Sequence, residues 1–305
     1  MKYVYGPVPS RRLGSSLGIS VTPKKACNYS CIYCQLGKTN LMMNDRQSFF
    51  KVSDIIEELK TVLSKQSHLD VVTIAGDGEP TLFKDLEELI VEIKKQTTRP
   101  VAVITNGGLL YDLEVQKALF KADIVLPTLD AYDEVSYRRI NRHHKELSFE
   151  KVYQGLVDFS NKYQGQIWLE MMIMEDINDS KEDLDKFKSM LKKIRYDRLY
   201  INTPVRPPQD LKAKALSYEK MIKVAETLNG ISLDVLANEQ FYSIIEDDYE
   251  AIINTTQRHP MNKFEVESFL NSRKVKNKEE IYQKLASDAK VKIVNYKGID
   301  TYNIK

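Results

Sequence analysis

Three cysteines, Cys27, Cys31 and Cys34, stand within the eight residues CNYSCIYC, and the chain has no others. A disulfide framework uses an even number of cysteines dispersed through an extracellular chain, so this pattern does not fit one. Three thiolates in one tight loop can instead grip one face of a cubane iron–sulfur cluster through three of its irons. The fourth iron then has no protein ligand, which is the open coordination position that catalytic metals need. Zinc is the alternative. It requires a fourth ligand, and none of the four histidines (His68, His143, His144 and His259) is near the loop in sequence.

Further polar clusters each follow a short apolar run. GDGEP (Gly76, Asp77, Gly78, Glu79, Pro80) follows VVTIA. Its glycines would let the backbone approach a ligand closely, although the same residues also make an ordinary strand-to-helix turn. TNGG presents Thr105 and Asn106, with an Asn-Gly turn as the plain alternative. LDA presents Asp130, WLEMM presents Glu170 and NTPVRPP presents Asn202. Glu170 and Asn202 could face a barrel mouth or be satisfied polar groups within the barrel. His143 and His144, in INRHH, read as loop residues. Arg11 and Arg12 in VPSRRLG and Arg206 in PVRPP are candidate anion contacts to a substrate, or solvated arginines on loops.

The elements that must position these groups alternate regularly. Apolar runs at 17–21, 71–75, 101–104, 124–126, 167–173, 198–201 and 231–236 read as strands. Helical periodicity occupies 52–63, 86–93, 113–120, 149–163, 180–194 and 218–228. Ser53 reads as the N-cap of the first helix, and Ser180 with Asp183 forms a capping-box pattern. The strands are too apolar to face water on either side, so the repeat implies a parallel sheet covered by helices. Six or seven units suggest an α/β barrel or an incomplete one, whose chemistry sits at the carboxyl ends of the strands. The polar clusters fall there.

From about residue 246 the pattern changes. Residues 246–256, 262–270 and 277–287 read as short helices, and 291–294 and 301–304 as a hairpin turning at Gly298. That is the layout of a winged helix. Two domains follow, 1–245 and 246–305, with the second expected to be separable from the first. Residues 258–305 carry a net charge of +5, whereas the whole 305-residue chain is only +2. A composition of 42% hydrophobic and 29% charged residues excludes collagen-like and disordered classes. No run of eighteen apolar residues occurs, and MKYVYGPVPSRRLG lacks the apolar core of a secretory signal. A cytoplasmic protein without a membrane partner is expected.

CNYSCIYC, at the end of the first strand and with Tyr33 just before its last cysteine, strongly resembles the cysteine motif of the radical S-adenosylmethionine (SAM) superfamily. The resemblance implies an incomplete (β/α)6 barrel and one 4Fe–4S cluster on Cys27, Cys31 and Cys34. It implies SAM bound to the unique iron through its amino and carboxylate groups, and cleaved by one electron to methionine and a 5′-deoxyadenosyl radical. GDGEP resembles the superfamily's glycine-rich loop, which makes Gly76, Asp77, Gly78 and Glu79 implied contacts to the methionine end. Thr105, Asn106 and Asp130 are further implied SAM contacts, with Glu170 and Asn202 as candidates. The backbone around Tyr33 is implied to meet the adenine. A one-electron donor of flavodoxin or ferredoxin type is implied as a partner.

YGPVPSRRLGSSLGISVTPKKACNYSCIYCQLG, GDGEPTL, VITNGGLL, LPTLDAYDEVSYRRINR, WLEMMIMEDINDS and NTPVRPP together resemble a bacterial radical SAM subgroup similar to the tRNA wyosine-base synthases. Those synthases carry a second cluster on additional cysteines, and this chain has no fourth cysteine. The cofactor chemistry is carried over and the wyosine reaction is not. RNA is one expected substrate class, and a peptide, protein or small molecule is the other. A DNA-binding iron–sulfur redox sensor is the non-enzymatic alternative, against which GDGEP weighs. Because no spare thiol exists, Cys31→Ala is expected to abolish the cluster. Anaerobically reconstituted wild-type protein should carry about four irons per chain. Cluster absorbance retained in the variant would show that the ligands are misassigned.

Overall fold

Strands that cannot face water on either side pair in parallel and take helices over their outer face. The computed structural model describes residues 1–65, 69–233 and 241–305, and it is built this way. β1 (Val4–Ser10) and β2 (Gly14–Ile19) form an antiparallel hairpin. In the loop that follows, β3 (Ala26–Cys27) and β4 (Leu41–Met42) pair briefly. Then come α1 (Val52–Leu63), β5 (Val71–Ile74), α2 (Leu86–Gln96), β6 (Val101–Thr105), α3 (Leu113–Leu119) and β7 (Ile124–Pro127). After them run α4 (Glu134–Ile140), α5 (Phe149–Lys162), β8 (Gln166–Met172), α6 (Lys181–Leu191), β9 (Arg198–Asn202), α7 (Tyr218–Leu228) and β10 (Ile231–Ser232).

The sheet order is β1-β2-β5-β6-β7-β8-β9-β10, parallel from β2 onward. Each strand pairs with its neighbour in sequence, and among the described residues no pairing joins β10 to β1. The sheet is therefore curled but open. Its curl shows in one apolar cluster that unites Leu13 beside β2 and Leu233 beside β10 with Val71, Ala102, Ile124, Leu126, Trp168 and Tyr200. Arg11 spans the open side, donating to the Leu233 carbonyl at 2.9 Å and to Asn202 Oδ1 at 3.2 Å. On the outer face, Ile55 and Leu59 of α1, Leu86 and Leu89 of α2, Phe159 of α5 and Phe187 of α6 are completely buried against the strands.

Several expectations are corrected in detail. α1 begins one residue before Ser53, because Val52 is already buried on its inner face. Lys51 is the N-cap, and the Ser53 hydroxyl donates to Asp54 Oδ1 at 3.2 Å from within the first turn. Ser180 does cap α6, with the reciprocal bond from Asp183. The strand expected over 231–236 spans Ile231–Ser232, and residues 234–236 lie outside the described residues, as does His68. β1 and α4 are additional elements.

The C-terminal segment contains α8 (Asp248–Arg258), β11 (Met261–Asn262), α9 (Lys263–Ser272), α10 (Lys278–Ser287), β12 (Val291–Tyr296) and β13 (Ile299–Ile304). Its sheet order is β11-β13-β12, all antiparallel. This segment packs against the residues before it. Its apolar core, including Ile252, Met261, Val266, Phe269 and Leu285, also takes in Phe241 and Tyr5 and Val8 of β1. Lys24 donates to the Lys305 carbonyl at 3.0 Å, and Tyr296 donates to the Pro204 carbonyl at 3.0 Å. Arg206, a candidate substrate contact in sequence, is instead tied into this junction. It donates to the Pro260 carbonyl at 2.7 Å and to Glu265 Oε1 at 2.8 Å. None of the helices in the described residues is long and apolar enough to cross a membrane.

The two serines make opposite predictions. Ser180→Ala removes a real cap and should lower unfolding stability by about 1 kcal/mol. Ser53→Ala should change it by less than about 0.5 kcal/mol. Urea denaturation of both variants checks this, and equal losses would contradict the assignment of the caps.

Candidate cofactor site

The cysteine loop leaves β2 at the carboxyl end of the sheet and is held down by α4. The last carbonyls of that helix have no partner within it. Ile140 and Asn141 offer theirs to the Ile32 and Ser30 N–H groups, each at 2.9 Å. His144 N–H donates to the Asn28 carbonyl at 2.8 Å, placing the INRHH loop against the cysteine loop through backbone rather than through an imidazole. His143 stacks on Tyr137, with ring centroids 4.0 Å apart. One side of the loop is covered by Tyr29, Ala131, Tyr137 and Leu147.

Cys27, Cys31 and Cys34 form no disulfide and are each partly exposed. Two of their sulfurs receive N–H donors. Asn106 Nδ2 lies 3.5 Å and Tyr29 N 3.4 Å from Cys27 Sγ, and Asn141 Nδ2 lies 3.6 Å from Cys31 Sγ. Burial pushes all three thiols up, with Glu79 adding to the effect at Cys27 and Asp130 at Cys31. Holding them as thiolates therefore needs a positive centre, and metal binding releases their protons. Amide donors aimed at sulfur suit an electron-rich iron–sulfur cluster. The donor set fits such a group.

Three strand ends converge on this loop. After β5, Gly76 has φ +123°, and a Cβ on Gly78 would lie 1.9 Å from the Ala26 carbonyl oxygen. Gly78 thus lets the glycine-rich loop press against the residue before Cys27. Glu79 is buried, and its carboxylate accepts from Thr81 N at 3.0 Å, Thr81 Oγ1 at 2.7 Å, Thr105 Oγ1 at 2.6 Å and Asn106 N at 2.7 Å. Burial raises its pKa against the pull of these donors. Asn106, at the end of β6, also donates to Asn28 Oδ1 at 2.7 Å. After β7, Asp130 accepts from Tyr33 OH, from Asn141 Nδ2 at 3.2 Å and from Met172 N at 2.8 Å, and burial raises its pKa as well. A cavity of about 20 Å³, room for one water, lies between these groups and α5.

The remaining sequence candidates separate from this set. Glu170 pairs with Arg12 and accepts from Asn202 Nδ2 at 2.9 Å, within the curl of the sheet. Burial and the neighbouring Arg11 hold the Arg12 guanidinium down at about 10. Arg11 and Arg12 are thus engaged with the barrel rather than solvated. The Asp77 carboxylate turns away from Glu79, accepting from Ser20 Oγ at 2.6 Å and facing Arg258 Nε at 3.3 Å. Sequence reading missed Asn28, Asn141, Ser20 and Arg258. Asn141 did stand beside the noted histidines, but nothing in the sequence linked it to Cys31.

Fold and site together define a class: an incomplete parallel α/β barrel with a three-cysteine cofactor loop at the carboxyl end of its first parallel strand. The chain belongs to the Radical SAM superfamily, whose model matches residues 21–188. It is 33% identical to a UPF0026 protein of Methanocaldococcus jannaschii, over 100% of this chain and 97% of that one. It is 40% identical over 311 residues to a Brachyspira hyodysenteriae protein described as GTPase Obg, covering 99% of this chain and 45% of that one. The chain thus spans less than half the length of that relative. In structure it resembles a radical SAM methyltransferase from Sphaerobacter thermophilus, at a TM-score of 0.52 and 13% identity over 72% of this chain and 67% of that one. That likeness concerns the fold.

Gly78→Ala should force the glycine-rich loop off the Ala26 carbonyl, since the Ala26 backbone cannot yield cheaply. The expected result is a stability loss of about 1–3 kcal/mol, as for an overpacked core, together with reduced iron content after reconstitution. Wild-type stability and iron content in this variant would contradict the close approach.

Proposed function

We propose that this chain is a radical SAM enzyme holding one 4Fe–4S cluster on Cys27, Cys31 and Cys34, with SAM over the carboxyl ends of β5, β6 and β7. When bound, the cluster and SAM supply one-electron cleavage to methionine and a 5′-deoxyadenosyl radical. The observation that carries the reading is the convergence of three strand-end motifs on one cysteine loop, in a chain of this superfamily. Gly76 to Glu79 would present backbone and carbonyl groups to the methionine end, with Thr105, Asn106 and Asp130 beside them. The backbone at Tyr33 would meet the adenine. Asn106 and Asn141 stabilise negative charge on sulfur, while Glu79 and Asp130 hold those two amides in place. Tyr29, Tyr137 and Leu147 keep water from one side of the loop. Glu170 and Asn202, joined to Arg11 and Arg12, would shape the floor of the substrate space. A small electron-transfer protein of flavodoxin or ferredoxin type would supply the electron.

For the substrate we read RNA. Residues 246–305 follow the helix, short strand, two helices and hairpin order of a winged helix. Lys263, Lys274, Lys276, Lys290 and Lys292 of this segment are exposed, as is Phe264 at 67%. The four tyrosines of this segment do not form a stacking platform. Tyr249 and Tyr282 donate to Asp288 and Glu267, Tyr296 donates to the Pro204 carbonyl, and Tyr302 is buried. Such a surface would bind through phosphates, with affinity falling steeply as salt rises.

Reconstituted protein given SAM and dithionite should form 5′-deoxyadenosine and methionine in equal amounts. Its affinity for bulk tRNA should fall at least about tenfold between 50 and 200 mM salt. No deoxyadenosine would overturn the enzyme reading. Deoxyadenosine without salt-dependent tRNA binding would overturn RNA in favour of a peptide or small-molecule substrate.

A further inference from the structure

The glycine-rich loop is fixed from two sides. Glu79 ties it inward to Thr105 and Asn106, and Asp77 ties it outward to the C-terminal segment. Asp77 is only 6% exposed. One of its oxygens accepts from Ser20 and faces Arg258, while Oδ1 has no hydrogen-bond partner. Its backbone carbonyl accepts from Lys25 N at 2.5 Å, two residues before Cys27, so a shift at Asp77 is felt on the cysteine side as well.

Arg258 closes this arrangement from the far end of the chain. It is the last residue of α8, and its side chain is 5% exposed. It donates to the Lys2 carbonyl at 2.6 Å and lies over the Tyr5 ring at 5.4 Å from the centroid. A buried carboxylate without a cation nearby is strongly disfavoured, and Arg258 at the end of α8 brings such a cation within 3.3 Å of Asp77. A second tether runs alongside, where Lys24, in the segment that enters the cysteine loop, donates to the Lys305 carbonyl.

We infer that Arg258 is a positioning residue for SAM: through Asp77 it sets the Gly76–Glu79 loop, and it makes SAM affinity depend on the seating of the C-terminal segment. The inference rests on the reading that this loop holds SAM. Linkage makes the coupling reciprocal. Any ligand of the C-terminal segment that shifts α8 changes SAM affinity by the same factor by which SAM changes that ligand's affinity.

The test uses full-length reconstituted protein and measures the SAM dissociation constant by equilibrium dialysis, together with iron content and thermal midpoint. Arg258→Gln should weaken SAM binding about tenfold, as expected for stranding a buried charge, with iron content held. Arg258→Lys, which keeps the charge, should recover part of the loss even if Arg258→Gln folds poorly. The Asp77→Asn/Arg258→Gln double variant should bind SAM better than the summed single losses, because the two groups act as a pair. In turnover, the KM for SAM should rise while kcat at saturating SAM stays within about twofold. Glu79→Gln serves as the loop control. If it weakens SAM while Arg258→Gln and Arg258→Lys do not, the loop reading stands and the coupling is wrong. If Glu79→Gln leaves SAM affinity at the wild-type value, the loop does not hold SAM, and this inference falls with that reading.

Discussion

The burial of one carboxylate governs the arrangement at the strand ends. Glu79 sits where water cannot reach it, and an ionised group there is tolerated only when its lone pairs are filled. Four donors fill them: two on Thr81, one on Thr105 and the Asn106 backbone. Hydrogen bonds to a charged group contribute about 1.5–3 kcal/mol each. Together they offset a desolvation that still pushes the Glu79 pKa upward. The result is directional as well as stabilising. Fixing the Asn106 backbone aims its side-chain amide at Cys27 and Asn28. A carboxylate after one strand thus orients the donor after the next, and that donor meets the sulfur before either strand.

A second polar group, Arg12 with Glu170, Asn202 and Arg11, occupies the curl of the sheet. Trp168 and Tyr200 pack below it in the apolar layer, with Arg198 over the Trp168 ring. The interior is filled by side chains, as in closed barrels, although the sheet remains open. Burial, with the added field of Arg206, Arg11 and Arg12, holds His259 well below the usual imidazole range. It therefore stays neutral and accepts from Arg206 at 2.7 Å instead of adding a further charge to the arginines.

The sequence was most legible where local periodicity and burial agree. The parallel strands alternate with helices whose apolar stripes match the buried residues of α1, α2 and α5. The three cysteines and the glycine-rich loop announce themselves because their spacing is rare and their chemistry narrow. β1 was missed because VYGPVPS holds a glycine and two prolines, which argue against a strand interior. It is an edge strand with a register shift between Tyr5 and Val8, where prolines are tolerated. α4 spans only 7 residues and lacks the length over which periodicity can be recognised, yet it anchors the cysteine loop. Asn141 and Arg258 act across 110 and 181 residues of chain, on Cys31 and Asp77, and no local pattern carries such a partnership. The packing of the tail against Tyr5 was illegible for the same reason, since charge and helix count are local properties and that fit is not.

The meeting of the two chain ends has a consequence for how the molecule is made. From β2 to β10 every strand pairs with the one before it in the sheet, so each addition closes only a short loop and can occur as the chain is synthesised. The first two residues are different. Their carbonyls take their donors from Asn254 and Arg258, which leave the ribosome more than 250 residues later. Tyr5 and Val8 of β1 therefore stay uncovered until the helices from α8 onward have been made. The barrel can assemble in order, but β1 is covered only once α8 has been made. A ribosome that stalls before α8 would release a nearly whole barrel with the apolar side chains of β1 uncovered.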